Sequence, residues 1–246
     1  MAGHNKWSKI KHRKAAVEKK KTKVWTKVAK ALMVAAKHGG PDPDSNLSLR
    51  YAIDEARYAN MPRDTIERAI KKGAGEKGGS DWETVRYEGY GPGGVAVVVD
   101  ALTDNRTRTI TDVRLAFSTN GGNVGASGCV AYMFLSRGQI VIAGEGVSGE
   151  KLMEAAIEAG ATDVGEPEGP EGVWVISTEV ADFQRVKDAL EKAGFAIEQA
   201  ELALIPETRV AVQGEQAESN ASLIEELEDL DDVQKVWSNA DFPDGE

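Results

Sequence analysis

Apolar residues first recur at helical spacing between positions 24 and 36. Val24, Val28, Ala31 and Ala35 make one stripe, with Trp25, Ala29, Leu32 and Ala36 beyond it. This predicts an amphipathic helix with Trp25 on its core side. Gly39-Gly40 ends the helix and Pro41-Asp42-Pro43 stops its continuation. Leu49, Ile53 and Ala56 predict a second helix over 46–59. Pro62 suits the first turn of a third, with Ile66, Ala69 and Ile70 facing inward and Gly73 as C-terminal cap. Residues 73–81, rich in Gly and Lys, read as a linker.

From residue 82 strands alternate with helices. Val95 to Leu102 is a nearly unbroken apolar run that fits a buried central strand. Asp104-Asn105 offers an N-cap, and Ile110, Val113 and Phe117 give a helix stripe ending near Gly121-Gly122. A short strand is predicted at Tyr132–Leu135. Strand Gln139–Ala143, a helix through Leu152, Ala156 and Ile157, and a connecting strand at 163–166 follow. Strand Val173–Ser177, a helix through Phe183, Val186 and Leu190, and strand Ile197–Ile205 complete a split βαβ repeat. Arg209–Val212, a helix through Leu223, Leu227 and Leu230, and strand Val233–Trp237 close the chain before a short acidic tail.

Charge changes the picture more than composition does. The 246 residues carry a net charge of −10, yet residues 1–38 hold 12 Lys and Arg against the single acid Glu18. Residues 39–80 balance seven bases with seven acids, and residues 81–246 carry 11 bases against 32 acids. Such asymmetry predicts a basic arm for a polyanion joined to an acidic body. No run of 18 apolar residues is present, so a spanning helix is excluded. The lone Cys129 excludes an internal disulfide and any Cys-x-x-Cys zinc site. The arm lacks the apolar stretch of a secretory signal, and lysine dominance with a single early arginine argues against a mitochondrial presequence.

Neutralising phosphates releases condensed counterions, which makes a lysine-rich arm a natural grip for nucleic acid. Candidate contacts are Lys6, Lys9, Lys11, Arg13, Lys14, Lys19, Lys20 and Lys21, with His4 and His12 as further donors and Trp7 placed to stack on an unpaired base. Lys23, Lys27 and Lys30 share one helix face and extend the footprint, as could Arg68, Lys71 and Lys72; helix-end charge and a Glu67–Lys71 pair are the alternative for those last residues. Arg106, Arg108 and Arg114 begin a helix on the acidic body and call for either phosphate or an interdomain carboxylate.

Catalytic chemistry finds little footing. Gly89, Gly91 and Gly94 match G-x-G-x-x-G, but a strand follows where a nucleotide site needs a helix, and Pro92 favours a hairpin turn. No histidine follows His38, which disfavours a Ser-His-Asp or Cys-His arrangement. The Glu225-Glu226 and Asp231-Asp232 pairs could hold divalent cations but lack calcium-loop spacing. A non-enzyme without catalytic residues, metal ligands, cofactor or small-molecule substrate is expected, with a metal-dependent enzyme using the acidic body as the remote alternative.

Several motifs together resemble the YebC-type family, also described as the translational activator of cytochrome oxidase family. They are Met1-Ala2-Gly3-His4-Asn5-Lys6-Trp7, Lys11-His12-Arg13-Lys14, Gly39-Gly40-Pro41-Asp42-Pro43, Asn60-Met61-Pro62 and Ile66-Glu67-Arg68-Ala69-Ile70-Lys71-Lys72-Gly73. Tyr87-Glu88-Gly89-Tyr90-Gly91-Pro92-Gly93-Gly94, Thr103-Asp104-Asn105-Arg106 and Gly121-Gly122-Asn123, with Gly125 and Gly128, extend the match over nearly the whole chain. Asn5 stands where the family often has Ser, and Cys129 where another small residue is expected. The resemblance implies an α+β protein with an N-terminal three-helix domain and two α/β domains of ferredoxin-like type, the third inserted in the second. The corresponding boundaries are 1–80, 81–136 with 204–240, 137–203 for the insertion, and 241–246 for the tail. It also implies a cytoplasmic, non-enzymatic regulator of gene expression, acting on ribosomes as a translational activator that eases difficult sequences such as proline runs, or on DNA as a transcriptional regulator. The expected partner is the ribosome or its RNA, with DNA the alternative; no membrane is expected to take part.

Overall fold

The computed structural model describes residues 17–75, 82–167 and 172–243, with side chains from Thr22 onward. Three helices come first: α1 (Val17–Gly39), α2 (Leu47–Tyr58) and α3 (Arg63–Gly75). Both α2 and α3 pack on α1. Val28, Leu32 and Ala36 of α1 bury against Leu49, Ala52 and Ala56 of α2 and Ile66 and Ala69 of α3. Val24, predicted to share the stripe, is 43% exposed, because the most buried line of α1 runs through Val28, Leu32 and Ala36 and crosses from the first apolar row to the second. Trp25 sits on this core and donates its indole N–H to the Ala59 carbonyl at 2.9 Å.

Asn46 fixes the α1–α2 turn. Its Oδ1 accepts from the Leu49 amide as the N-cap of α2, and its Nδ2 donates to the carbonyls of Ala35 and Gly40. Gly73 corrects an expectation. It lies inside α3 and caps nothing; a Cβ there would fall 2.2 Å from the Met33 carbonyl oxygen, so glycine lets the two helix backbones touch.

The body contains β1 (Glu83–Gly91), β2 (Val95–Thr103), α4 (Arg106–Thr119), β3 (Asn123–Val124), β4 (Phe134–Ala143), α5 (Gly149–Ala159), β5 (Asp163–Gly165) and β6 (Val173–Thr178). It continues with α6 (Phe183–Lys192), β7 (Ile197–Pro206), β8 (Val210–Ala211), α7 (Gly214–Asp229), β9 (Val233–Ser238) and β10 (Ala240–Asp241). The first sheet has the order β3-β1-β2-β9, the second β5-β6-β4-β7, and β8 pairs with β10 in parallel. The second sheet is antiparallel with two helices in a βαββαβ path, the ferredoxin-like order, and its strands lie in sequence between those of the first.

Burial explains the run at 95–102. Helices α4 and α7 cover one face of β2 through Val113, Phe117, Leu223 and Leu227. Val130, Phe134, Leu204 and Trp237 cover the other. The Gly-rich segment 91–94 is a hairpin connection from β1 to β2, with Gly93 and Gly94 at positive φ. The two short strands expected around 132–143 are largely one. β4 runs straight through Gly138, where a Cβ would meet Thr178 Oγ1 at 2.3 Å and Phe183 Cδ2 at 2.5 Å.

Candidate nucleic-acid interface

The expected contacts His4, Lys6, Trp7, Lys9, Lys11, His12, Arg13 and Lys14 lie outside the described residues. Lys19, Lys20 and Lys21 fall on the opening turns of α1, ahead of the described side chains. Their helix continues directly into the lysine row.

That row does not face open solvent, as the sequence suggested. Lys23, Lys27 and Lys30 turn to the C-terminal end of α7. Lys23 Nζ donates to the Asp229 carbonyl at 3.3 Å and pairs with its carboxylate at 3.4 Å. Lys27 Nζ donates to the Glu228 carbonyl at 2.6 Å, and Lys30 Nζ to the Asp231 carbonyl at 3.0 Å and the Asp232 carboxylate at 3.1 Å. The physical cause is a helix end of the wrong sign. Among the last carbonyls of α7, which carry partial negative charge, stand Glu228 and Asp229, and the last turn has no base of its own. Cations supplied by α1 cap the carbonyls and offset the acids together. Burial pushes the Lys27 ammonium below the usual lysine range, against the opposing pull of Glu228.

Asp232 is the root of this contact. Its side chain is 9% exposed and receives Arg108 at 2.6 Å, the Thr109 hydroxyl at 2.9 Å and Lys30 at 3.1 Å. Burial alone would raise its pKa; the hydrogen bonds from Arg108, Thr109 and Lys30 outweigh burial and hold it below the usual carboxylate range. The Lys30 ammonium also stands 4.5 Å from the centroid of the Trp82 ring. Beside these groups a cleft of ≈ 680 Å³ opens between α1 and the body, lined in part by Trp82, Asp104, Asp112 and Asp229.

A second fastening joins α2 to both sheets. Asp54 pairs with Lys187 of α6 at 3.0 Å, with both side chains under a tenth exposed. Lys235 of β9 reaches Glu55 of α2 at 2.7 Å and Glu201 of β7 at 2.8 Å. Burial disfavours both ammonium groups, but their carboxylate partners more than compensate and keep each pKa above the usual lysine range. The sequence carries no periodic signal for these pairs: Asp54–Lys187 and Glu55–Lys235 join residues more than a hundred positions apart, and Glu201–Lys235 joins two separate strands.

The remaining candidates stay outward. Arg68, Lys71 and Lys72 lie exposed on α3, Arg68 bonding back to the Asp64 carbonyl and the Thr65 hydroxyl. Glu67 pairs with Arg63 at 2.9 Å rather than with Lys71. Arg106 and Arg108 find carboxylates of their own expected domain rather than the interdomain one anticipated: Arg106 reaches Glu83 at 2.6 Å, and Arg108 takes Asp104 and Asp232. Of the Asp231-Asp232 pair, Asp232 is held by Lys30 and Arg108, and no group of three or more metal-ligating side chains occurs among the described residues.

Comparison with known proteins agrees along the chain. A model described as the TACO1/YebC protein N-terminal domain matches residues 5–76, and one described as the TACO1/YebC second and third domain matches residues 82–240. The chain belongs to the TACO1/YebC family. Among its TACO1/YebC relatives, a "probable transcriptional regulatory protein" of Desulforapulum autotrophicum is 51% identical over 244 residues, covering 99% of this chain and 98% of that one. Another so named, from Geotalea uraniireducens, is 52% identical over 246 residues, covering 100% and 98%. A crystal structure of a conserved hypothetical protein from Aquifex aeolicus superposes with a TM-score of 0.85 at 47% identity, covering 96% of each chain. The relatives' names support a regulatory role. No helix among the described residues is long and apolar enough to cross a membrane.

Proposed function

We propose that this TACO1/YebC protein regulates gene expression by gripping RNA, with the ribosome as its physiological partner, through the basic N-terminal unit. The observation that carries this is charge segregation along the chain. Twelve bases against one acid occupy residues 1–38, and α1 carries that excess to a body with 32 acids against 11 bases. Arg68, Lys71 and Lys72, exposed on the neighbouring helix α3, enlarge the same basic unit. The acidic body repels the polyanion and orients the arm towards it, and it suits basic partner proteins. The basic arm is apt for RNA shape and unpaired bases.

DNA binding is the second reading, favoured by the printed names of the relatives. A turn of four residues with Asn60 at φ 53° joins α2 to α3, as in a helix-turn-helix. These two helices, however, pack on α1 more than on each other, and α3 interleaves its bases with Asp64 and Glu67. That face suits phosphate contacts better than base readout.

The test is a titration of structured RNA and duplex DNA with the full chain and with an R68E/K71E/K72E variant at two salt concentrations. The proposal expects RNA to bind more tightly than duplex, with affinity falling in the variant and with salt. Unchanged RNA affinity in that variant and in a K6E/K9E/K11E variant would overturn it.

A further inference from the structure

We infer that Lys23 and Lys27 form a covered phosphate-binding row, with the acidic end of α7 occupying the place that a polyanion takes when it binds. This rests on the reading that the protein binds a polyanion, and it adds a second state of the N-terminal unit in which the row is open.

The cover is graded along α1. At its root Lys30 is held by the buried Asp232 and lies over Trp82. One turn towards the N-terminus, half-buried Lys27 donates to the Glu228 carbonyl and feels the charge of the Glu228 carboxylate beside it. One turn further, Lys23 and Asp229 are about half exposed, at 46% and 52%. An exposed ion pair contributes little and yields readily to a competing anion. A buried carboxylate with four charged or hydroxyl donors does not. The row therefore opens from Lys23 inward and stops at Lys30.

Geometry also says where the competitor comes from. The helix that bears the row continues through Lys21, Lys20 and Lys19 towards the arm, so a polyanion gripped there is led along α1 to Lys23. Each lysine that exchanges a carboxylate or carbonyl for a phosphate leaves the end of α7 without its cap. Binding at the arm is thereby coupled to fraying of the last turn of α7, some two hundred residues away in sequence.

A double-mutant cycle tests this on the full chain, with a 20-nucleotide oligouridylate and heparin as separate probes. One variant, E228Q/D229N/D231N, neutralises the cover; a second, K23Q/K27Q, removes the row; a third combines them. E150Q/E154Q/E158Q, on the exposed face of α5, controls for loss of negative charge alone. The expectation is that neutralising the cover tightens oligouridylate binding roughly fivefold for each uncovered lysine. The salt slope should steepen by about 1.4, two phosphates' worth on a single strand. K23Q/K27Q should cancel that gain but cost little with the cover intact, and the α5 control should gain less. Hydrogen exchange at 225–231 should rise when oligouridylate binds the unaltered protein.

Equal effects of K23Q/K27Q in both backgrounds, or an equal gain in the α5 control, would overturn the covered row. If heparin shows the cycle while RNA binds nowhere, the row stands and the RNA reading fails. If RNA binding depends on the arm but neither probe shows coupling, the RNA reading stands and the covered row fails.

Discussion

Asp232→Asn is the sharpest probe of how the N-terminal unit is fastened. The Asp232 carboxylate accepts from Arg108, Thr109, Thr103 and Lys30, and every one of these neighbours is positioned as a donor. The amide is neutral and turns an N–H towards donors whichever way it flips. Removing one partner of a buried ion pair costs about 3–5 kcal/mol. Arg108 is 48% exposed and can turn to water, so the lower end, about 3 kcal/mol, is expected. Urea unfolding at pH 7, followed by tryptophan fluorescence and circular dichroism, measures the difference. The pH dependence gives a second check. The folded pKa of Asp232 lies below its unfolded value, so its contribution is present above about pH 4 and is lost as pH falls through the folded pKa. The gap between the two proteins should therefore close on acidification. A difference under about 0.5 kcal/mol at pH 7, or one unchanged at low pH, would refute the reasoning.

Three further outcomes follow from single contacts. Glu88→Gln removes a buried carboxylate that accepts from the amides of Gly128, Val130 and Ala131 at 2.7–2.9 Å, and should cost about 2 kcal/mol with faster hydrogen exchange across 125–133. Gly73→Ala should lower stability by about 1–3 kcal/mol in thermal melts, because its methyl meets the Met33 backbone. Lys187→Met should cost about 3 kcal/mol in urea by taking the buried ammonium from Asp54, whose other oxygen keeps the exposed Arg57, and Asp54→Leu added to it should recover much of that loss, whereas two independent losses would add.

The elements were legible where periodicity is local. The buried run Val95–Leu102, the Asn105 cap and the helix ends at Gly40 and Gly160 follow from neighbouring residues, and the structure has them. The cap expected at Gly73 and the break expected between Leu135 and Gln139 are both absent for one reason. At Gly73 and Gly138 the absent Cβ serves an approach by a distant element, Met33 in one case and Phe183 in the other, so neither position ends its helix or strand. The site was legible as charge but not as contact. Lys23, Lys27 and Lys30 were visible as a row, yet their acidic cover begins about two hundred residues later. Only the fold brings together a helix end rich in acids and a helix start rich in bases.

The central claim is that the basic N-terminal unit carries the protein to RNA on the ribosome. The most direct measurement is sedimentation of the full chain with ribosomes at near-physiological salt, in the presence of excess promoter-containing duplex DNA, beside a K6E/K9E/K11E/R13E/K14E variant. The account predicts that the protein pellets with ribosomes despite the DNA and that the variant stays in the supernatant. Stripping of the protein by DNA into a sequence-dependent footprint, or pelleting that the variant retains in full, would contradict it.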